Sequence, residues 1–428
     1  MPKDTATRTL KALQKASLSL VPVHLRTTGN EIGLDVLFAT GWHILGSYAG
    51  TTAYMVRRQG ITAALNYVYS KVLVPGGEGT PGLLFPIIGP FIRKRQSLTW
   101  YPTAIEVETT TVCNKRCIHC EHTHWSERSR HLSFEEFTYI TNQFPNLKWT
   151  NLTGEGSSFL NRDYLKMLKH MKERKVQVAV VDHFDDLNDE IADGMIRYGI
   201  DHVCVSIDGA STEVYNAIKV GCDFERVVRN IDRFAALKKK MNARIPAVVF
   251  RYVITTMNQA EMPRMIGLIA SLPHRKYLGP GSYVEFTGLL EFDQNQHLKV
   301  RALPEEIMRE TLARAREHKV VVVFSHSEES KLPASHKCLA WLEPYVMMGG
   351  DVVQCCAVLM SNKRPFLRGH AFGNVYERPF SEIWHSERYR RFRSQVNQAQ
   401  GKVPLMCSGC RSFNVGDRIE KYGIAEDL

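Results

Sequence analysis

Three cysteines occupy eight consecutive positions in the segment "CNKRCIHC", at Cys113, Cys117 and Cys120. Thiolates are soft ligands that suit iron-sulfur clusters, zinc and copper(I). A structural zinc site is closed by four ligands, usually with paired C-x2-C spacing, whereas this C-x3-C-x2-C loop supplies three thiols. The loop therefore predicts a metal centre with one position left open for a substrate or a cofactor.

A second group of cysteines lies beyond residue 335. It comprises Cys338, Cys355, Cys356, Cys407 and Cys410. Four of these thiols, including the C-x2-C pair in "CSGC", are enough to ligate a complete 4Fe–4S cluster or a structural zinc ion. The spacing alone leaves both metals open. The fifth thiol, Cys356, is predicted to pack beside the metal, and Cys204 lies in an apolar strand pattern and is predicted to be core.

The elements that must position these thiols begin near residue 103, where short apolar runs alternate with amphipathic segments. The six predicted strands are residues 104–109, 148–153, 176–181, 202–207, 247–255 and 283–288. One helix is predicted to open at Ser133, with Glu136 completing a capping box. This alternation predicts an α/β fold with a parallel sheet, open or closed as a partial barrel. Ligands bind at the carboxyl ends of such strands, and the three-cysteine loop follows the first strand directly.

The three-cysteine loop resembles that of the radical S-adenosylmethionine (SAM) superfamily. In that family the three cysteines hold a 4Fe–4S cluster, and SAM binds the fourth iron through its amino and carboxylate groups. His119 stands where members of the family usually have an aromatic residue beside the adenine. The resemblance implies that Cys113, Cys117 and Cys120 ligate a cluster whose open iron binds SAM.

A second segment of this resemblance is "LTGEGSS", residues 152–158. It is similar to the family's Gly-Gly-Glu segment, which holds the amine of SAM. Thr153 replaces the first glycine, so Gly154 and Glu155 carry the match. Taken alone, an acidic residue at a strand-helix turn is more often a helix N-cap or a loop carboxylate.

A third segment is "VSIDGASTEVYNAIK", residues 205–219. It resembles the family segment in which a Ser or Asp at a strand end contacts the ribose, and it nominates Ser206 and Asp208. Asp208 has the same alternative as Glu155, that of a turn carboxylate. Three matches in chain order, each at the end of a predicted strand, favour SAM binding over that alternative.

The second group of cysteines resembles the auxiliary-cluster region of the SPASM and twitch subfamilies, in which a cysteine is followed by a glycine, four residues and another cysteine. Cys338, Gly350 and Cys355 fit that element. The implied ligands of one auxiliary 4Fe–4S cluster are Cys338, Cys355, Cys407 and Cys410. One cluster, as in a twitch domain, is expected because the full SPASM pattern has more cysteines.

The resemblance implies a partial (β/α)6 barrel of the radical SAM type, with a C-terminal twitch/SPASM-like cluster domain and an N-terminal, mainly helical extension. The expected boundaries are residues 1–100, 101–325 and 326–428. The implied activity is reductive cleavage of SAM to a 5′-deoxyadenosyl radical, which abstracts hydrogen from an unactivated carbon. The auxiliary cluster would assist electron transfer in an oxidation, epimerisation, crosslinking or carbon-carbon bond formation, with a flavodoxin or ferredoxin as electron donor.

Cys222 follows the segment that resembles the ribose site. A thiol near the active site would be able to return a hydrogen atom to a substrate radical, so Cys222 is the candidate catalytic residue. The alternative is a buried cysteine that only packs.

The first hundred residues suggest where the substrate is found. Residues 36–58 and 82–95 are apolar stretches that end in basic residues, which is typical of a peripheral membrane face or of a helical cap on the next domain. They predict a lipid-like or membrane-associated substrate, with a small molecule or a peptide as alternatives. No nucleic-acid motif is present, so a nucleic-acid partner is not expected.

The composition of the chain indicates which ligands and which cellular compartment to expect. Lys and Arg exceed Asp and Glu by 55 to 44, giving a net charge of +11 that favours acidic surfaces or ligands, although the charges are scattered. Ten cysteines are too few for a disulfide-rich secreted scaffold, and the first residues lack the apolar core of a signal peptide. A reducing, cytoplasmic location is therefore expected, with peripheral membrane contact through residues 1–100.

Two other classes of protein compete with the enzyme. One is a zinc-stabilised, non-catalytic protein that binds lipid or nucleic acid through its basic surface. The other is a membrane-anchored scaffold that rests only on residues 36–56. The complete cysteine triad and Glu155 favour the enzyme, because neither competing class requires them.

Overall fold

The structure is a computed structural model. It describes residues 49–72, 101–279, 281–325, 332–333, 343–356, 364–396, 398, 400–410 and 413–425. The strands are β1 (Ala104–Val107), β2 (Trp149–Asn151), β3 (Gln177–Asp182), β4 (His202–Ser206), β5 (Ala247–Val253), β6 (Tyr283–Thr287), β7 (Val322–Ser325), β8 (Leu332–Pro333), β9 (Tyr345–Val346), β10 (Val352–Val353), β11 (Val403–Pro404), β12 (Phe413–Asn414) and β13 (Ile424–Ala425).

The helices of the extension and the barrel are α1 (49–59), α2 (Ile61–Val72), α3 (Phe134–Asn142), α4 (Tyr164–Glu173), α5 (Asp189–Tyr198), α6 (Thr212–Ile218), α7 (Phe224–Lys240), α8 (Met262–Ser271) and α9 (Glu305–His318). Those of the C-terminal region are α10 (Arg364–Gly369), α11 (Phe380–His385), α12 (Glu387–Val396) and α13 (Gly416–Tyr422). The predicted capping box opens α3, where the Ser133 side chain accepts a hydrogen bond from Glu136 N and Ser133 N donates to the Glu136 carboxylate.

The main sheet has nine strands in the order β10-β9-β1-β2-β3-β4-β5-β6-β7. Strands β1 to β6 lie side by side in chain order and pair in parallel, with helices between them along the chain. Among the described residues the edge strands β7 and β10 do not pair with each other, so the sheet is open. The predicted α/β fold with six parallel strands is confirmed.

Three strands extend the sheet beyond the predicted six. Strand β7 pairs in parallel with β6, and β9 pairs in parallel with β1 at Glu106 and Tyr345. Strand β10 then pairs antiparallel with β9. The C-terminal region therefore continues the sheet directly from the strand that precedes the three-cysteine loop.

The two faces of the parallel strands differ in polarity. Val205, Phe250 and Phe286 belong to the main hydrophobic core, which they share with residues of the surrounding helices. Because side chains alternate along a strand, Ser206 and Glu285 lie on the opposite face. That face is the inner, concave face of the barrel, and it carries polar side chains.

The described part of the N-terminal extension is helical and lies against the amino edge of the barrel. Asn66 donates from Nδ2 to Lys175 O over 2.9 Å, and Gln59 donates from Nε2 to Gly199 O over 3.3 Å. Lys175 and Gly199 precede β3 and β4. Helices α1 and α2 are thus at the edge of the sheet opposite the three-cysteine loop, which lies at the carboxyl ends.

The apolar stretches of the extension are only partly described. Residues 36–48 and 82–95 lie outside the described residues, and residues 49–56 are helical. Within the described segments, no helix combines the length and the apolar character needed to cross a bilayer.

Candidate metal and cofactor site

The three-cysteine loop follows β1 and is held on one side by the chain that follows α6. Arg116 N donates to Val220 O over 2.8 Å, and Ile118 N donates to Ile218 O over 3.0 Å. These two hydrogen bonds pair the loop with residues 218–220. The loop that resembles the cluster-binding loop and the segment that resembles the ribose site are therefore neighbours in space.

On its other side the loop is held by the chain that follows β2. Gly156 N donates to Thr110 O over 3.1 Å, and Ser157 N donates to Val112 O over 2.9 Å. A Cβ atom on Gly154 would lie 1.9 Å from Thr110 O, so only glycine fits at this position. All three segments that carry the family resemblance thus meet at the carboxyl edge of the sheet.

The three thiols lie close enough to influence one another electrostatically. Burial raises the pKa of Cys113, Cys117 and Cys120, and repulsion from the other thiolates adds to the rise at Cys117 and Cys120. Three thiolates so placed repel one another unless a cation lies between them. The donor set therefore fits an iron-sulfur cluster, which replaces the thiol protons and accepts thiolate ligands.

A buried ion pair between Lys115 and Asp185 anchors the cysteine loop. Lys115 forms an ion pair with Asp185 and also donates to Gly221 O over 3.2 Å. Arg226 holds the same carboxylate with a second, bidentate contact. Burial alone would raise the pKa of Asp185, but the hydrogen bonds from Arg226 and Lys115 outweigh it and hold the pKa at about 2. The loop is therefore fixed through Lys115, which stands between two of the cysteines.

Ser206 and Asp208 meet at a lysine that the sequence did not nominate. Lys219 Nζ donates to Ser206 Oγ over 2.6 Å and lies 2.9 Å from Asp208 Oδ2. Asp208 is fully buried, and its Oδ1 also accepts from Val253 N over 2.7 Å. Burial alone would lower the pKa of Lys219, but Asp208 and the neighbouring thiols raise it above its usual range, so the lysine is charged.

A signal for Lys219 was present in the sequence. It is the last residue of the segment at 205–219, but a single lysine after a helix is usually solvated and gives no indication of burial. Its buried position depends on the pairing of the cysteine loop with residues 218–220, and that pairing is a tertiary feature.

His119 carries a neutral imidazole at the same place. Burial lowers its pKa to about 4, although Asp208 opposes the shift. Its Nε2 is 3.4 Å from Asp208 Oδ2, and among the described residues its buried Nδ1 has no hydrogen-bond partner. An unpaired, buried ring nitrogen is costly, so this atom fits a site that a ligand completes.

Glu155 is positioned beside the last cysteine of the loop. Burial and the nearby Glu108 carboxylate raise its pKa to about 8, while Arg364 opposes the shift. Gly154 and Gly156, on either side of Glu155, pack against Thr110 and Val112 at the start of the cysteine loop, and Glu155 is among the charges that raise the pKa of Cys120. A carboxyl with a raised pKa is suited to pair with a cationic ligand group, because such a group offsets the cost of its charge.

Cys222 is buried behind the cysteine loop. Burial is the main cause that raises its pKa to about 12, so it carries its proton. Its sulfur lies within 4.8 Å of ligand atoms of His183 and Asp185, a group that resembles a metal site in its residue types. Asp185 is already held by Lys115 and Arg226, which leaves this group without a carboxylate to offer. The hydrogen-donor role of Cys222 stays a prediction.

The C-terminal cysteines are brought together through their neighbours in the chain. Gln354 donates from Nε2 to Met406 O over 3.0 Å, which joins the chain before Cys355 to the chain before Cys407. Cys410 N donates to Cys407 O over 3.1 Å, so the C-x2-C pair forms a tight turn. Cys356 packs, like Cys355, against the apolar cluster that contains Met406. Cys338 lies outside the described residues.

The glycine of the predicted auxiliary-cluster element is conformationally required. Gly350 has φ +93°, and a Cβ atom there would lie 2.5 Å from the Tyr376 ring. The chain turns sharply at this point between β9 and β10 and leads directly to Cys355. This geometry explains why a glycine precedes the cysteine at this spacing.

Two family models match the chain. The model of the Radical SAM superfamily matches residues 107–269, and that of the SPASM iron-sulfur cluster-binding domain matches residues 338–411. The matches fall within the predicted regions 101–325 and 326–428, whose boundaries stay predictions. Each match contains one of the two cysteine groups.

Two curated relatives match over most of the chain. A tungsten-containing aldehyde ferredoxin oxidoreductase cofactor-modifying protein from Pyrococcus furiosus is 23% identical over 67% of this chain and 82% of its own length. An AdoMet-dependent heme synthase from Methanosarcina barkeri is 24% identical over 76% of this chain and 96% of its own length.

Among solved structures, Streptococcus suis SuiB bound to its precursor peptide SuiA has a similar fold. The TM-score is 0.54 at 11% sequence identity, and the match covers 96% of this chain and 82% of that one.

Proposed function

Because this chain belongs to the radical SAM superfamily and carries a SPASM iron-sulfur cluster-binding domain, we propose that it abstracts hydrogen from an unactivated carbon of a polar substrate. The radical SAM domain binds a 4Fe–4S cluster and SAM, and the SPASM domain binds auxiliary iron-sulfur clusters. When bound, the cluster and SAM supply a 5′-deoxyadenosyl radical. The observation that carries the proposal is the loop of three thiols, flanked by Glu155 on one side and Lys219 on the other.

The residues around the loop match the parts of SAM. Glu155 accepts a hydrogen bond from the amino group of SAM, and Lys219 supplies a positive charge for its carboxylate. Ser206, which is partly exposed, faces the ribose, whereas the buried Asp208 positions Lys219. His119 lies beside the adenine as a neutral ring. Gly154, next to Glu155, allows the close approach of the two loops.

The inner face of the barrel supports a polar substrate. Ser206, Arg251 and Glu285 are in register on three adjacent strands, and Arg251 Nε donates to Glu285 over 2.9 Å. Burying an acyl chain against this ion pair would desolvate charges without replacing their hydrogen bonds. A peptide or a polar small molecule therefore fits the barrel better than a lipid. The solved structure of SuiB with its precursor peptide gives a precedent for a peptide in this fold.

The auxiliary site is proposed to hold one 4Fe–4S cluster through Cys338, Cys355, Cys407 and Cys410. A cluster whose four irons are all ligated by protein exchanges electrons and does not bind substrate. It would therefore serve an oxidation, epimerisation, crosslinking or carbon-carbon bond formation, with a flavodoxin or ferredoxin as the electron donor.

The double variant Cys407→Ala/Cys410→Ala should lose about four irons per chain and still form 5′-deoxyadenosine. Turnover of the substrate should stop, because the electron acceptor or donor is lost. Iron analysis and chromatography of the SAM products measure both effects. The control is Cys204→Ala, which removes a thiol from the barrel and should keep all iron. An unchanged iron content in the double variant would contradict the assignment of Cys407 and Cys410 as ligands of an auxiliary cluster.

A membrane contact is proposed for the helices at the amino edge. Ile61 and Leu65 are 67% and 61% exposed on one face of α2, and the exposed Arg57 and Arg58 lie close by on α1. Apolar side chains beside basic residues suit an anionic bilayer surface. Since these helices lie opposite the cysteine loop, the protein would bind the bilayer with its active-site opening facing the solvent.

Vesicles of phosphatidylserine and phosphatidylcholine should sediment the protein, and phosphatidylcholine vesicles alone should sediment much less of it. The variant Ile61→Glu/Leu65→Glu should stay in the supernatant, whereas Thr62→Glu on the neighbouring exposed position should bind at least half as well as the wild type. Equal sedimentation of the double variant and the wild type would rule out this face.

The function itself is tested on anaerobically purified protein. Iron, sulfide and zinc are measured, and 5′-deoxyadenosine is assayed after addition of SAM and dithionite. Iron with formation of 5′-deoxyadenosine supports the enzyme. Protein that contains zinc but no iron, and that does not cleave SAM, would contradict the enzyme and support the zinc-stabilised binding protein.

A further inference from the structure

An arginine of the SPASM region reaches into the barrel beside the SAM site. Arg364 begins α10 and is 3% exposed, and its guanidinium is held by Glu108. NH1 donates to Oε1 over 2.9 Å and NH2 to Oε2 over 2.8 Å, so the pair is bidentate. Glu108 is fully buried at the end of β1, five residues before Cys113.

The same guanidinium also holds the chain that follows the cysteine loop. Arg364 Nε donates to Glu127 Oε2 over 2.7 Å, and the guanidinium carbon is 4.4 Å from the centre of the Trp125 ring. Trp125 and Glu127 come five and seven residues after Cys120. Arg364 therefore contacts both the entrance and the exit of the three-cysteine loop.

Glu108 has a second partner in the C-terminal region, since Met348 N donates to its Oε2 over 2.6 Å. Within the described residues, the hydrogen bonds to this carboxylate thus come from the C-terminal region. Two residues after Glu108, Thr110 O accepts from Gly156 N over 3.1 Å, and a Cβ atom on Gly154 would lie 1.9 Å from the same oxygen. The segment that carries Glu155 is therefore packed against the strand end that Arg364 holds through Glu108.

We propose that Arg364 is a positioning residue for SAM: by neutralising Glu108 it keeps Glu155 in place, so that the SAM site is complete only when the SPASM region is docked. This inference rests on the proposed function, in which Glu155 binds the amino group of SAM. Removing one partner of a buried ion pair leaves the other charge uncompensated, which costs far more than losing both. Without Arg364, the carboxylates of Glu108 and Glu155 would repel each other beside the cysteine loop.

The test compares SAM affinity in three variants that carry the full complement of iron. Dissociation constants come from the change in the electron paramagnetic resonance signal of the reduced cluster when SAM is added. Arg364→Met should weaken SAM binding at least about tenfold, or about 1.4 kcal/mol. Arg364→Met/Glu108→Gln should recover affinity to within about threefold, because the buried charge is removed with its partner.

The matched control is Arg368→Met. Arg368 belongs to the same ionic network but contacts Glu127, Asp351 and the Met348 carbonyl oxygen, and within the described residues it does not contact Glu108. Its loss weakens the attachment of α10 without exposing the Glu108 charge, so SAM affinity should stay within about threefold of wild type. An equal loss in Arg368→Met and Arg364→Met, or no recovery in the double variant, would overturn the inference.

Glu155→Gln separates this inference from the proposed function. If Glu155→Gln loses SAM affinity and Arg364→Met does not, only the role of Arg364 fails. If Glu155→Gln binds SAM as the wild type does, the assignment of Glu155 fails and the inference fails with it.

Discussion

Replacing Cys113, Cys117 and Cys120 together by alanine should abolish 5′-deoxyadenosine formation and reduce the iron content from about eight to about four irons per chain. The described part of this loop offers these three thiols to a cluster. Cys222 is also close to Lys219, but a single thiol cannot replace the three. The remaining iron belongs to the auxiliary site, where Cys355 packs against a separate apolar cluster.

Iron and sulfide analysis and the dithionite-driven assay check this result, with Cys204→Ala as the variant that should behave like the wild type. Triple-variant protein that still cleaves SAM would remove the assignment of the catalytic cluster. The complementary loss in Cys407→Ala/Cys410→Ala makes the two experiments a pair, because each variant should lose a different half of the iron.

Glu155→Gln should weaken SAM binding about 100-fold, in the range expected when a buried hydrogen bond to a charged group is lost. The amide keeps the shape of the side chain but accepts a weaker hydrogen bond from the amino group of SAM than a carboxylate does. Lys219→Met should weaken binding to a similar extent, because it removes the cation and also frees the buried Asp208. Glu213→Gln, an exposed acid on α6, is the control and should bind SAM like the wild type.

The affinity of wild-type protein for SAM should also depend on pH. The pKa of Glu155 is raised to about 8, mainly by burial, so below pH 8 most of the carboxyl groups carry a proton that must leave before the carboxylate can accept from the amino group of SAM. Affinity should therefore increase as the pH rises from 6.5 toward 8 and level off above that. In Glu155→Gln the dependence should be flat. A wild-type affinity that falls with rising pH over this range would contradict the role of Glu155.

The barrel could be predicted from sequence because its strands repeat a strong local pattern. The prediction of residues 176–181 and 202–207 differs from β3 and β4 by one residue at most at each end. Strands β9 and β10 were not predicted, because two residues carry no periodic signal. Their place in the sheet is set by pairing with β1, a contact between distant parts of the chain.

The residues of the candidate site also fall into those that the sequence predicts and those that only the fold reveals. The cysteines, Gly154 and Ser206 stand within short segments whose spacing is visible in the sequence. Lys219 and Arg364 were missed, because a basic residue is usually solvent-exposed and only tertiary packing buries it. Asp208 was nominated for the ribose, whereas its oxygens are engaged by Lys219 and Val253 N.

The pairing of β9 with β1 has a consequence for synthesis of the chain. Glu106 pairs with Tyr345, more than two hundred residues later in the sequence. While the barrel emerges from the ribosome, β1 is therefore an uncovered edge strand, with backbone groups that another chain could pair with. This edge is closed only when the C-terminal region has been made, so of the six strands β1 to β6 the strand that precedes the cysteine loop is the last to gain both of its neighbours.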